Sequence, residues 1–237
     1  SAASDVYKRQ ADTRYDWDND EEYDGTTSRS FRNRSSAAIS DEFGFKDFDV
    51  VELSGAYHAT VVKGERYAVR LAGSEEVREL VDIHQEGNTL VVKHRKDFNI
   101  IKGWANDHVF EITIVMPELH ELEATGAGKV DISGFDSDRI EINLTGAVKA
   151  NAELNARELE ADLTGASQLE LEGKGERADI SLTGASTLHG FGFKVREAEV
   201  DATGASTASV YVTETLTIDE TLASKVRHRG NPRITRD

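Results

Sequence analysis

The tripeptide Thr-Gly-Ala returns at a nearly constant interval, and that period constrains the fold of this chain more than any other feature. Copies begin at Thr125, Thr145, Thr164, Thr183 and Thr203, at successive spacings of 20, 19, 19 and 20 residues. A worn copy, Thr221-Leu222-Ala223, follows 18 residues later, and an isolated one, Ser54-Gly55-Ala56, stands far upstream. A unit of this length cannot bury its own apolar face. Stacked on its neighbours, it contributes to one continuous core.

With each Thr as position zero, the residues fall into columns. Position −3 holds Leu122, Ile142, Ala161, Ile180, Val200 and Ile218; position −1 holds Ala124, Leu144, Leu163, Leu182 and Ala202. Position +5 runs Val130, Ala150, Leu169, Leu188, Ala208, and +7 runs Ile132, Ala152, Leu171, Gly190, Val210. These columns, together with the Ala at +2, are expected to face inward, because mainly polar residues separate them with the period of a strand. Each repeat then reads as two short strands meeting at a corner. Gly126, Gly146, Gly165, Gly184 and Gly204 occupy that corner, where glycine accepts a positive φ. The expected fold is all-β: a single-stack, right-handed parallel β-helix of about 19–20 residues per coil, with an irregular β-rich N-terminal section.

The charges offer an independent check. Position −7 runs Asp138, Arg157, Glu176, Arg196, Glu214, and −6 runs Arg139, Glu158, Arg177, Glu197. Alternation in sign from repeat to repeat makes sense if those residues stack. At the worn copy, Glu220 breaks the apolar −1 column, as an end coil would.

Upstream the pattern is different. Residues 1–42 lack apolar periodicity and read as a disordered leader or linker. The first ten share no motif with the rest and are set aside as a non-native extension. Residues 43–237 form the expected β-helix domain, with an N-terminal section (43–118), repeat coils (119–223) and a C-terminal cap and tail (224–237). Alternation predicts strands at Asp49–Leu53, Ala59–Val62, Ala68–Leu71, Thr89–Lys93 and Val109–Val115. Ser74–Val81 is the one expected helix, with Ser74 as its cap.

Composition narrows the function. The net charge of −16 opposes binding to nucleic-acid phosphate. The absence of cysteine removes disulfides, zinc–thiolate sites and thiol catalysis. No apolar run is long enough to span a membrane.

No catalytic constellation emerges, and no cofactor is expected. The histidines are scattered, and six equivalent corner hydroxyls without paired bases read as a structural ladder. Position −4 holds Glu121, Glu141, Glu160, Asp179 and Glu199, an uncompensated acidic column. Its members Glu141, Glu160, Asp179 and Glu199 are a candidate weak calcium site. The C-terminus carries Lys225, Arg227, His228, Arg229, Arg233 and Arg236, which suit an anionic surface or a charged, protected open end. Trp104 is a candidate aromatic platform for a ligand.

Three stretches together resemble a known family. They are Phe45–Phe48 through Leu53-Ser54-Gly55-Ala56 and Val61–Glu65, then Glu111–Leu119 leading to Ala124–Gly128, then the Leu-Thr-Gly-Ala repeats. The chain is similar over about residues 43–233 to the head GIN domain family, labelled "putative auto-transporter adhesin" and common in bacterial cell envelopes. That family usually has Ser where most copies here have Thr. The resemblance implies an extracytoplasmic β-helical protein, in the periplasm or at the cell surface, and transfers no catalytic residue. The functional expectation is a non-enzymatic, rigid scaffold binding a protein or glycan. The alternatives are a carbohydrate-active β-helix enzyme and a purely structural spacer.

Overall fold

The computed structural model describes residues 39–73, 75–95 and 109–236. In chain order the first strands are β1 (Ile39–Phe43), β2 (Val50–Gly55), β3 (Tyr57–Lys63) and β4 (Ala68–Gly73). A five-residue helix α1 (Glu75–Glu79) leads to β5 (Val81–Glu86), β6 (Thr89–His94) and β7 (Phe110–Met116). The repeats supply β8 (Glu121–Gly126), β9 (Lys129–Gly146), β10 (Lys149–Gly165), β11 (Gln168–Gly184), β12 (Thr187–Gly204) and β13 (Thr207–Glu220). Two short strands follow, β14 (Lys225–Arg229) and β15 (Arg233–Arg236). The whole is a β-solenoid of about six turns.

Within the repeat body each strand pairs in parallel with the next, and the register matches repeat to repeat. Gly126, Gly146, Gly165, Gly184 and Gly204 are successive partners. Equal positions therefore lie above one another at the spacing of neighbouring strands, about 4.8 Å. A coil is one long strand with bends rather than two short strands. One bend is a bulge, seen as a register shift between Glu153 and Leu154. Another falls where two consecutive charged residues, such as Asp138 and Arg139, both face solvent.

The columns at −3, −1, +5 and +7 are buried throughout, as expected. So is an additional column at −5, of Ile140, Leu159, Ala178, Ala198 and Leu216. The +2 alanines are a correction: Ala127, Ala147, Ala166, Ala185 and Ala205 are exposed, and the residue after each points inward. The glycine is the cause. Its φ, +89° at Gly165, turns the chain so that alternation resumes one residue later. That inward +3 column contains Ser167, Ser186 and Ser206, all 0% exposed. Each donates its hydroxyl to the carbonyl of the corner Thr, at 3.1, 2.9 and 3.1 Å, so none of these three hydroxyls is stranded in the core.

The corner excludes a side chain for a second reason. A Cβ on Gly165 would lie 2.7 Å from the carbonyl oxygen of Gly146 in the coil before. That oxygen accepts from Ala166 N at 2.7 Å, one rung of a ladder along the corner.

The N-terminal section uses the same coil in another order. β2 and β3 stack on β8 and β9, with Ser54 opposite Thr125 and Gly55 opposite Gly126. β6 and β7 stack on the opposite side of β2 and β3. The coil first in sequence is thus second in space. Antiparallel strands finish this end: β5 on β6, and β4 then β1 on β7. Three expectations change here. β1 begins at Ile39, inside the stretch read as leader. β5 was not expected. The helix ends at Glu79, because Val81 pairs with His94 and Arg95 N donates to Leu80 O at 2.8 Å. Pairing across space overrides a short run's helix preference. The expected Ser74 cap lies outside the described residues.

At the other end β14 and β15 stack on β13. Leu222 keeps the corner's left-handed backbone, φ +65°, without a glycine. Glu220 accepts from Arg236 Nη1 at 2.7 Å and from Val226 N, which satisfies a carboxylate in an otherwise apolar column.

Candidate functional site

A solenoid's outward columns are its functional surface, since the inward ones are committed to the core. The −7 and −6 columns stack as expected: Glu158 lies between Arg139 and Arg177. Arg157 Nε donates to Asp138 at 3.2 Å, Arg177 Nη2 to Glu197 at 3.1 Å, and Arg196 grips Glu214 with two bonds of 2.7 and 3.0 Å. Arg196 holds the Glu214 carboxyl below the usual carboxylate range. These exposed pairs order the coils laterally and add little stability.

The acidic column is real in register: Glu121, Glu141, Glu160, Asp179 and Glu199 are successive partners. It is not uncompensated, however. Arg139 bonds Glu160, and Asn143 Nδ2 donates to Glu141 at 2.8 Å and to Glu121 at 3.3 Å. Among the described residues no three acidic or histidine side chains converge to hold a metal ion.

Where this column meets the N-terminal section, a groove of about 310 Å³ opens. Asp49, Asn88, His120, Glu121, Arg139 and Glu141 line it. Four separate segments build it. The Asp49 carbonyl accepts from His120 N at 2.8 Å, which ties the start of β2 to the start of β8. The Asp49 carboxylate accepts from His120 Nδ1 at 2.9 Å and from Asn88 Nδ2 at 2.7 Å. With Nδ1 donating, His120 Nε2 is left as an acceptor on a half-exposed ring. Burial first, then the neighbouring Glu141, raises the Glu121 carboxyl above its ordinary range. The groove thus combines carboxylates, an imidazole, an amide and an arginine, a set suited to hydroxyl-rich polar ligands.

Sequence spacing could not reveal the groove. Asp49, Asn88 and His120 are far apart in the chain and meet only because β2 stacks between β6 and β8. Of the other expected site residues, Gly126, Gly146, Gly165, Gly184 and Gly204 form the corner ladder. The outward threonines continue it, with the Thr203 and Thr221 hydroxyls 2.9 Å apart. Trp104 lies outside the described residues. The basic C-terminus forms the last edge of the stack, where Arg229 sits 4.2 Å over the Phe191 ring.

The fold is that of a β-solenoid protein, a continuous in-register ladder that presents columns of side chains outward. The chain belongs to the family described as "Putative auto-transporter adhesin, head GIN domain", whose model matches residues 47–232. No curated protein matches it. Solved structures share the fold. A putative adhesin from Bacteroides fragilis is 16% identical, with a TM-score of 0.67, covering 86% of this chain and 98% of that one. A putative lipid binding protein from Parabacteroides distasonis is 20% identical, with a TM-score of 0.65 and coverages of 85% and 93%. A putative adhesin from Parabacteroides merdae is 18% identical, with a TM-score of 0.57 and coverages of 86% and 93%. Among the described residues no helix is long and apolar enough to cross a membrane.

Proposed function

We propose that this protein is a non-enzymatic scaffold of the bacterial cell envelope that binds a glycan or protein partner on its outward columns. The observation that carries this reading is the open groove lined by the polar side chains of Asp49, Asn88, His120, Glu121, Arg139 and Glu141, set on an in-register β-ladder. Flat, preorganised surfaces bind extended partners with little ordering cost. The family's description as an adhesin supports the same reading. One structural neighbour is described as a putative lipid binding protein, so lipid vesicles belong among the probes.

A second reading rests on the same groove. Glu121, its carboxyl raised by burial and by the neighbouring Glu141, and His120, bonded to Asp49, are the residue types of acid–base chemistry on polysaccharide. A glycan array combined with a turnover assay on acidic and neutral polysaccharides separates the two. Binding without cleavage, weakened by His120→Ala and by Glu141→Gln, is the expected result. Cleavage lost in Glu121→Gln would establish the enzyme instead. Binding unchanged in all three variants would move the partner site elsewhere.

A further inference from the structure

Among the described residues the two ends of the solenoid are open sheet edges, one formed by basic strands and the other by acidic strands in which Arg78 bonds Asp41 and Arg70 lies 3.9 Å from Glu42. At the C-terminal end, β14 and β15 each pair on one side only, with β13. Residues 225–236 contain Lys225, Arg227, Arg229, Arg233 and Arg236 and no acidic residue. At the N-terminal end, the outermost strands β1 and β5 carry Asp41, Glu42, Asp82 and Glu86 and no lysine or arginine. Among the described residues no strand covers the outer side of any of these four.

The ends also correspond in position. Arg227 of β14 terminates an outward column that descends strand by strand through Ser209, Asn151, Thr60 and Arg70. That column ends on Glu42 of β1. A second column, half a coil away, ends on Thr235 of β15, two residues from Arg233, and begins on Glu86 of β5. Each end strand of one sign thus has an end strand of the other sign along the same column.

We propose that copies of this chain associate head to tail along the solenoid axis, the basic β14–β15 edge of one docking on the acidic β1 and β5 edges of the next. Unpaired backbone N–H and C=O groups on an edge strand are a template for another strand. Charge normally blocks such pairing. Here the block applies only between like ends, which repel, while unlike ends attract. The contact is heterologous, so it extends a row rather than closing a dimer. Arg227 of one copy then faces Glu42 of the next, continuing the coil-to-coil alternation already present at positions −7 and −6. A free polyanion would use the positive charge alone and leave the acidic end and the matched columns without a role.

Sedimentation velocity over a concentration series tests this on the full chain. The expected result is concentration-dependent association at about 0.01 M salt, where charges act over about 30 Å, and loss of it at about 1 M, where they act over about 3 Å. Arg227→Glu alone and Glu42→Lys alone should each stay monomeric, and an equimolar mixture of the two should associate again. A parent that is monomeric at all concentrations in low salt would overturn the proposal. So would association unchanged in both variants, or a monomer whose basic edge binds only heparin or anionic vesicles. A thermal melt checks that each variant folds, and Arg227→Gln, expected to weaken association without abolishing it, gives the same reading by a milder change.

Discussion

The repeat body and the N-terminal section are built from the same coil but differ in how chain order maps onto stack order. From β8 to β13 each coil lies on the one before it in sequence, so period and neighbour relations coincide. Before β8 they separate, because β6 and β7 lie outside β2 and β3. The corner column shows the difference in one line. It begins at His94, whose ring lies where a Cβ on Gly55 would fall, then runs through the glycines, and ends on Leu222. In the body the corner must be small because a coil lies on each side. At His94 the outer neighbour is an antiparallel strand, with Val81 opposite, and among the described residues no further corner follows Leu222, so a side chain fits at both.

The largest expected effect breaks this comparison directly. Gly165→Val should destabilise by about 4 kcal/mol or more, from positive-φ strain on a β-branched residue together with overlap with the Gly146 carbonyl. An unchanged melting temperature would remove the basis for the corner ladder. The converse change belongs at the end. Leu222→Gly should stabilise by about 1 kcal/mol, since Leu222 is 88% exposed and holds a left-handed backbone at a cost. A loss of stability there would show that Leu222 packs on something.

The +3 column extends the contrast. In the body it holds satisfied serines. In the N-terminal section the same position is Tyr57, which is fully buried; its ring fills the space left by Gly128 and packs at 5.8 Å from Phe110. Ser186→Ala should cost about 1 kcal/mol through the lost bond to Thr183 O. The Tyr57 hydroxyl has no hydrogen-bond partner among the described residues. Tyr57→Phe should therefore be neutral or stabilising by up to about 1 kcal/mol. Denaturant melts of the two variants should move in opposite directions; movement in the same direction would contradict the assignment of one column to both.

The smallest effect concerns Glu121, where the two regions meet. Its folded carboxyl is raised, so the folded state binds its proton more tightly than the unfolded state. The stability this contributes is present in acid and is lost as pH rises through the raised value. Glu121→Gln should lack that slope and be at least as stable as the parent at neutral pH. Identical slopes from pH titration of thermal melts would show that Glu121 is not the group responsible.

Much of the body was legible because a parallel, in-register stack converts sequence period into spatial adjacency. The four apolar columns, the corner glycines and the sign alternation at −7 and −6 all follow from that one relation. The phase slip at the corner was not legible. An Ala at +2 and a Ser at +3 read as apolar and polar, and only the turn at glycine decides that the Ala faces out and the Ser faces in. β5 left one unused signal: Gly87-Asn88, the two-residue connection between β5 and β6, has Gly87 at φ +62°, as a tight hairpin turn requires.

The amino-acid sequence by itself determined the coil, its length and its inner faces, because those depend on residues a fixed distance apart in one chain. Tertiary structure alone decided which coil lies outermost, which strands finish the ends, and that Asp49, Asn88 and His120 share a groove. Those choices depend on non-local pairing, in which strands far apart in the chain become neighbours without any period to announce it.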